Sequence, residues 1–157
     1  MVAADPIFEI AEEGHLAVLL PLVRGYHAFE QVPMSDDDRV AALAPLLQPE
    51  SPFGRIWLIR WRGEVAGYVA LCFGYSIEFG GRDAFVDELF IVEGARGKGL
   101  GGKVLDSMMR EAAGLGIVAL HLEVGRNNHR ARKFYEKHGF RAREQYHLMS
   151  CDVAASS

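Results

Sequence analysis

Cysteine is nearly missing from this chain: Cys72 and Cys151 are its only two. Two cysteines cannot build a disulfide framework, so the fold must rest on an apolar core and both thiols are expected free, in a reducing compartment. Long apolar runs are missing too. No stretch reaches the roughly 20 residues that span a bilayer. Met1–Pro6 is short and carries Asp5, unlike a secretory leader. The expected location is the cytoplasm, with no membrane partner. Basic residues are in deficit, 17 Lys and Arg against 21 Asp and Glu, a net charge of −4. Nucleic-acid binders usually carry a basic footprint, so nucleic acid is not expected as a partner. The six histidines fall at no metal-ligand spacing, and no metal is expected. Repeats, low-complexity segments and linkers are absent. A chain of 157 residues, half of them hydrophobic, reads as a single domain over 1–157, with a core of about 5–151.

What is present is a change of period along the chain. Ile7–Ala11 alternates and predicts a first strand. Leu16, Leu19, Leu20, Val23 and Tyr26 recur at helical spacing, with Pro21 and Gly25 inside the run. Ser35, followed by Asp36, Asp37 and Asp38, predicts the capped start of a second helix with Val40, Leu43, Leu46 and Leu47 on one face. Arg55–Trp61 and Val65–Ser76 then read as a hairpin around Arg62-Gly63-Glu64, and Phe85–Val92 as the next strand. Val104, Leu105, Met108, Met109 and Ala112 mark a helix that stops at Gly114 and Gly116. Val118–Val124 predicts a strand parallel to Phe85–Val92, since a strand–helix–strand unit closes by a right-handed crossover. Asn128–His138 is a last helix with Gly139 as its stop, and Arg141–Arg143 and Tyr146–Cys151 read as two final short strands. The expected class is α/β, one mixed sheet in the order β-α-α-β-β-β-α-β-α-β-β.

The densest chemical signal is Phe85–Gly102. A strand carrying Asp87 and Glu88 ends at Glu93-Gly94-Ala95 and passes through Arg96-Gly97-Lys98-Gly99-Leu100-Gly101-Gly102 into a helix. Such a turn aims unpartnered backbone N–H groups and the positive end of a helix dipole at one point, which suits a phosphate or pyrophosphate. Gly97, Gly99 and Gly102 satisfy the G-x-G-x-x-G pattern, with Glu123 about twenty residues on. A dinucleotide fold is nevertheless disfavoured. Glu93–Arg96 separate the strand from the first glycine, and a helix pair and a hairpin come before the unit. No Gly-Lys-Ser/Thr follows, which removes a Walker A loop. A plain tight turn would not need five glycines in Gly94–Gly102.

Arg96–Gly101 resembles the [Q/R]-x-x-G-x-[G/A] acetyl-CoA signature of the GNAT superfamily of N-acetyltransferases. Asn128-His-Arg-Ala131-Arg-Lys-Phe134-Tyr135-Glu-Lys-His-Gly139-Phe140 resembles that family's second element, and the two stand in the family's order. The resemblance implies the GNAT fold and acetyl-CoA as cofactor. The pyrophosphate would lie on Gly97, Lys98, Gly99, Gly101 and Gly102 beside Arg96. The pantetheine would run along Ile91, Val92 and Glu93, in a slot left where the next strand splays away. It places Asn128 against the cofactor, although Asn128 reads equally as a helix N-cap. It makes Tyr135 the general acid, against a core tyrosine on an amphipathic helix, and puts the oxyanion donor on a backbone N–H of Leu89–Val92. Asp87 or Glu88 would take the amine's proton, against a carboxylate paired with Arg82 or Arg143. Strand neighbours point to opposite faces, so one of the two acids is expected toward the cleft. His121 and Glu123 would line the slot or face solvent.

The implied reaction is acetyl transfer to a primary amine by direct attack in a ternary complex. A small cationic amine or polyamine is the expected acceptor, since Tyr75–Val92 loosely resembles diamine acetyltransferases. The alternatives are a protein N-terminus or lysine, and a non-catalytic CoA-binding module. A homodimer is expected by family analogy.

Overall fold

The computed structural model describes residues 4–154. The chain divides into two compact units, Met1–Glu123 and Val124–Ser157. Among the described residues no helix is long and apolar enough to cross a membrane.

The first unit is built on a five-stranded sheet: β1 (Ile7–Ile10), β2 (Gly54–Trp61), β3 (Glu64–Ser76), β4 (Gly81–Ile91) and β5 (Ala119–His121). The strands lie in sequence order, the first three pairings antiparallel and β4–β5 parallel. This is the expected meander followed by the expected crossover. The helices are α1 (Leu16–Glu30), α2 (Asp36–Leu43) and α3 (Leu100–Gly114).

The two faces of the sheet carry different helices. Leu19 and Val23 of α1 and Leu43 of α2 cluster with Ile56, Leu58, Tyr68 and Ala70 of the sheet. Leu100 and Val104 of α3 cluster with Ile59, Trp61 and Ala66, with Leu89 and Ile91 packed alongside. Apolar side chains at helical spacing meet alternate strand residues, and burying each large one contributes roughly 1.5–3 kcal/mol. Ser35 caps α2 as expected, its Oγ accepting from the Asp38 N–H at 3.1 Å. Pro21 stands inside α1 without ending it. Gly25 lets α1 come down on the sheet, because a Cβ there would meet the Phe90 ring at 3.2 Å.

β4 departs from a regular strand in two ways. Its register with β3 slips by one: Ala70 opposes Glu88, whereas Leu71 opposes Val86, which leaves Asp87 as the extra residue of a β-bulge. Its ladder with β5 is three pairs long, Asp83 with Ala119, Ala84 with Leu120 and Phe85 with His121. The predicted strand over 118–124 is thus much shorter, because past His121 the chain leaves β4.

In the second unit, α4 (His129–Lys137) begins at Asn128, whose Oδ1 accepts from the Ala131 N–H at 3.2 Å. It ends at Gly139, with φ at +96°. The Phe140 N–H donates to the Tyr135 carbonyl at 3.1 Å, and the two rings meet edge-on at 5.7 Å. The predicted cap and its apolar contact are both present. The two predicted last strands, 141–143 and 146–151, are not formed. Alternation can propose a strand, but a strand exists only with a ladder partner, and none pairs with these segments among the described residues.

Candidate active site

Phe85 to Gly102 lies wholly within the first unit, so its parts can be placed against one another. Ile91 opposes Gly67, and the Val92 N–H donates to the Ala66 carbonyl at 2.8 Å. That pattern makes Ile91–Gly67 a non-hydrogen-bonded pair, and Leu89–Val69, two residues back, is another. The N–H and C=O groups of Leu89 and Ile91 therefore point away from β3. They point to the side where β5 has already parted from β4. Val92, by contrast, spends its N–H on β3.

Immediately beyond, Glu93–Ala95 forms one 3-10 turn, and Gly99 caps α3 with φ at +76°. Only glycine adopts that conformation without cost, so the turn that opens the helix depends on it. The first-turn N–H groups of α3 have no partner within the helix. The two cations of the turn are both drawn aside. Arg96 donates its Nε to the Ile91 carbonyl at 2.7 Å and lies over the Phe90 ring at 5.4 Å. The Lys98 ammonium sits 6.0 Å from the Trp61 ring. The turn thus offers anions a backbone cradle, with the formal charge beside it rather than inside it.

The two acids behave differently. Asp87, at the bulge, is exposed. Glu88 turns to the face of α1 and α2, where its side chain keeps 19% exposure. Its partners are not the arginines considered from the sequence. Tyr68 donates its hydroxyl to Glu88 Oε1 at 2.7 Å, and His27 Nε2 stands 2.7 Å from Glu88 Oε2. His27 Nδ1 in turn lies 3.0 Å from Arg39 Nε, and Arg39 donates to Asp36 at 2.8 Å. Arg24 grips the same carboxylate from α1 at 2.8 Å. Asp36 thereby joins α1 to α2, besides lying in the first turn of α2, and Arg24 and Arg39 hold its carboxyl below the usual range. Burial, and then the Glu88 charge, keep the Tyr68 hydroxyl protonated far above the ordinary phenol range. Burial likewise pushes the Cys72 thiol up to about 11, with Asp87 and Glu88 adding to it.

Arg82 donates to the Leu115 carbonyl, and Arg143 lies over the Tyr146 ring. His121 pairs with Asp83 at 3.0 Å between the rings of Phe79 and Phe85, at the point where β4 and β5 separate. Glu123 is exposed. In the second unit Tyr135 is half-buried on α4 beside Phe134 and Phe140.

Sequence reasoning missed His27, Arg39 and Tyr68. A signal existed for the first two: Leu19, Val23 and His27 recur every four residues on α1, as do Arg39, Leu43 and Leu47 from α2 onward. A polar residue on a buried stripe needs a partner.

The family model described as "Acetyltransferase (GNAT) family" matches residues 22–140 and so spans both units. The chain is 28% identical to the uncharacterized N-acetyltransferase YhfO of Bacillus subtilis over 130 residues, 83% of this chain and 86% of that protein. Among solved structures it is similar to an integron cassette protein from the mobile metagenome of Cole Harbour Salt Marsh. The TM-score is 0.78 at 31% identity, covering 95% of this chain and 91% of that one. It shares its fold with a predicted acetyltransferase from Clostridium acetobutylicum, solved with acetyl-CoA, at a TM-score of 0.73 and 16% identity over 92% and 96% of the two chains. With a strand that opens beside a glycine turn, and a family model that matches across most of its length, the chain belongs to the acetyltransferase (GNAT) family.

Proposed function

We propose that this acetyltransferase transfers the acetyl group of acetyl-CoA to a small cationic primary amine, polyamines included, by direct attack in a ternary complex. The observation that carries the reading is the open side of β4. Leu89 and Ile91 present peptide groups there, the glycine turn follows directly, and two carboxylates precede them in one strand. The cofactor supplies an activated acyl thioester: the C–N bond forms as the C–S bond breaks, and CoA leaves as a thiol. The residues available fit such a molecule, because a peptide-like arm needs outward N–H and C=O groups and a pyrophosphate needs a backbone cradle.

The chain's own groups divide the work. The N–H and C=O of Leu89 and the N–H of Ile91 hold the pantetheine, the Ile91 carbonyl already accepting from Arg96, and an N–H on the same edge steadies the oxyanion. Gly97, Lys98, Gly99, Gly101 and Gly102 receive the pyrophosphate. Arg96 contributes its charge alongside. Asp87 or Glu88 takes the proton of the attacking amine, through water. Tyr135 gives a proton to the departing sulfur, and Asn128 contacts the cofactor while capping α4. The acids on and around β4 favour a cationic acceptor. We further propose that the protein works as a homodimer in the cytoplasm, where free Cys72 and Cys151 stay reduced.

A thiol-release assay with acetyl-CoA tests the reading. The acceptor panel spans monoamines, diamines, polyamines, amino acids and N-terminal peptides. Release with di- or polyamines above the others is expected. CoA binding without thiol release across the whole panel would overturn catalysis, and a preference for peptides would overturn the acceptor class.

A further inference from the structure

The chain of contacts behind Glu88 is not explained by the chemistry above. His27 and Arg39 are buried, at 5% and 9% exposure, and both lie in helices rather than on β4. The direction of each hydrogen bond can be fixed. A guanidinium only donates, so Arg39 Nε makes His27 Nδ1 an acceptor. The ring hydrogen of a neutral His27 then stands on Nε2, aimed at Glu88 Oε2. Tyr68 donates to the other carboxylate oxygen. Glu88 is therefore gripped by two donors, both from its buried side.

This arrangement cannot act as a proton wire. To pass a proton outward from Glu88, His27 would have to release one from Nδ1, where it carries none. Arg39 would then have to give up its own, which a guanidinium in a protein does not do. The contacts hold a charge in place and leave it there. Asp87, one residue earlier in the bulge, is exposed and can exchange a proton with water.

Resting on the acetyltransferase reading, we propose that His27, Arg39 and Tyr68 are positioning residues that hold the Glu88 carboxylate in place for the acceptor's ammonium group, and that Asp87 accepts the proton. Each Glu88 oxygen keeps a second lone pair, and the part of the side chain left exposed is the part an ammonium can reach. Among the described residues, the titratable and charged groups that act on Glu88 or on its two donors are Tyr68 and Cys72 from β3, Tyr26 and His27 from α1, Arg39 from α2, and Asp87 from β4 itself. Of these, Asp87 alone combines a carboxylate with open access to solvent.

Two measurements test this, and one needs no activity. Long-range 1H–15N correlation of the imidazole in the free protein should show the neutral His27 ring as the Nε2–H tautomer, with Nδ1 bare. Arg39→Met should release the lock, so that the Nδ1–H tautomer becomes populated. An Nδ1–H tautomer in the wild type overturns the lock whether or not any amine is acetylated. In kinetics, His27→Leu should raise KM for a diamine about tenfold, far more than it lowers kcat. His27→Gln, which keeps an N–H near the Nε2 position, should recover most of that loss. Asp87→Asn should remove the acid limb of the pH–kcat profile, and Glu88→Gln should keep it while raising KM. The reverse pattern, or an unchanged KM in His27→Leu, overturns the proposal. Should His27→Leu fail to fold, Tyr68→Phe must show the same rise in KM, and an unchanged KM there overturns the proposal equally. A wild type that releases no thiol with any amine defeats the acetyltransferase reading and, with it, the proposed role of Glu88, whereas the tautomer measurement still decides the lock.

Discussion

The hydroxyl of Tyr68 lies 2.7 Å from Oε1 of Glu88, joining neighbouring strands on the face covered by α1 and α2. Tyr68 is fully buried, so this bond has no water to replace it. A hydrogen bond to a charged group contributes about 1.5–3 kcal/mol. Tyr68→Phe is expected to lose stability in that range in urea unfolding near neutral pH, with an unchanged m-value. The raised pKa has an optical counterpart: ultraviolet titration should find Tyr68 un-ionised until the protein unfolds in alkali. A tyrosine difference spectrum that saturates for all five tyrosines while the fold persists would contradict the burial argument.

Gly99 gives a second prediction. Its φ of +76° is strained for other residues, and a carboxylate placed there would oppose any anion at the turn. Gly99→Asp should weaken CoA binding by at least about tenfold in calorimetry, equivalent to 1.4 kcal/mol. Equal affinity in the variant would remove the pyrophosphate from this turn.

The proposed role of Tyr135 can be tested by separating binding from chemistry. Removal of a general acid typically costs about a hundredfold or more in rate. Tyr135→Phe should lower kcat on that scale with little change in CoA affinity. A variant at full speed would leave Tyr135 with its packing between Phe134 and Phe140.

Cys72 offers a reactivity test with a defined sign. Only the thiolate is alkylated, and burial first, then Asp87 and Glu88, move its formation up to about 11. At about pH 8, Cys72 should react with iodoacetamide more slowly than the exposed Cys151, and its rate should keep climbing as pH approaches that value. Peptide-resolved mass spectrometry reads both sites in one sample. Equal rates at the two cysteines would show that the β3 site is open to solvent and not desolvated.

Much of this was legible in the residues because it is local. The Ser35 cap, the Gly139 stop, the apolar stripe of α3 and the crossover from β4 to β5 each follow from short-range geometry. The pair Asp87–Glu88 was legible as two adjacent acids in an apolar strand but not as arrangement. Alternation assigns neighbours to opposite faces, whereas a bulge inserts a residue that alternation does not count. His27 and Arg39 were hidden because helix periodicity marks a buried position without naming the strand residue that it will meet. The final segments show the converse. Their pattern suited strands, but pattern cannot supply a partner, and the ladder did not form.

The parting of β4 from β5 places an edge inside a sheet rather than at its rim. An outer edge accepts any extended chain along its whole length and invites aggregation. This one is shut at its far end by the three pairs from Asp83 to Phe85, and its open length runs only from Val86 to Ile91. A strand from another molecule would find its register blocked after a few residues, whereas a slender amide-bearing chain needs no more than that. One short ladder thus leaves room for the narrow guest of the proposed reading while denying the sheet a template for growth.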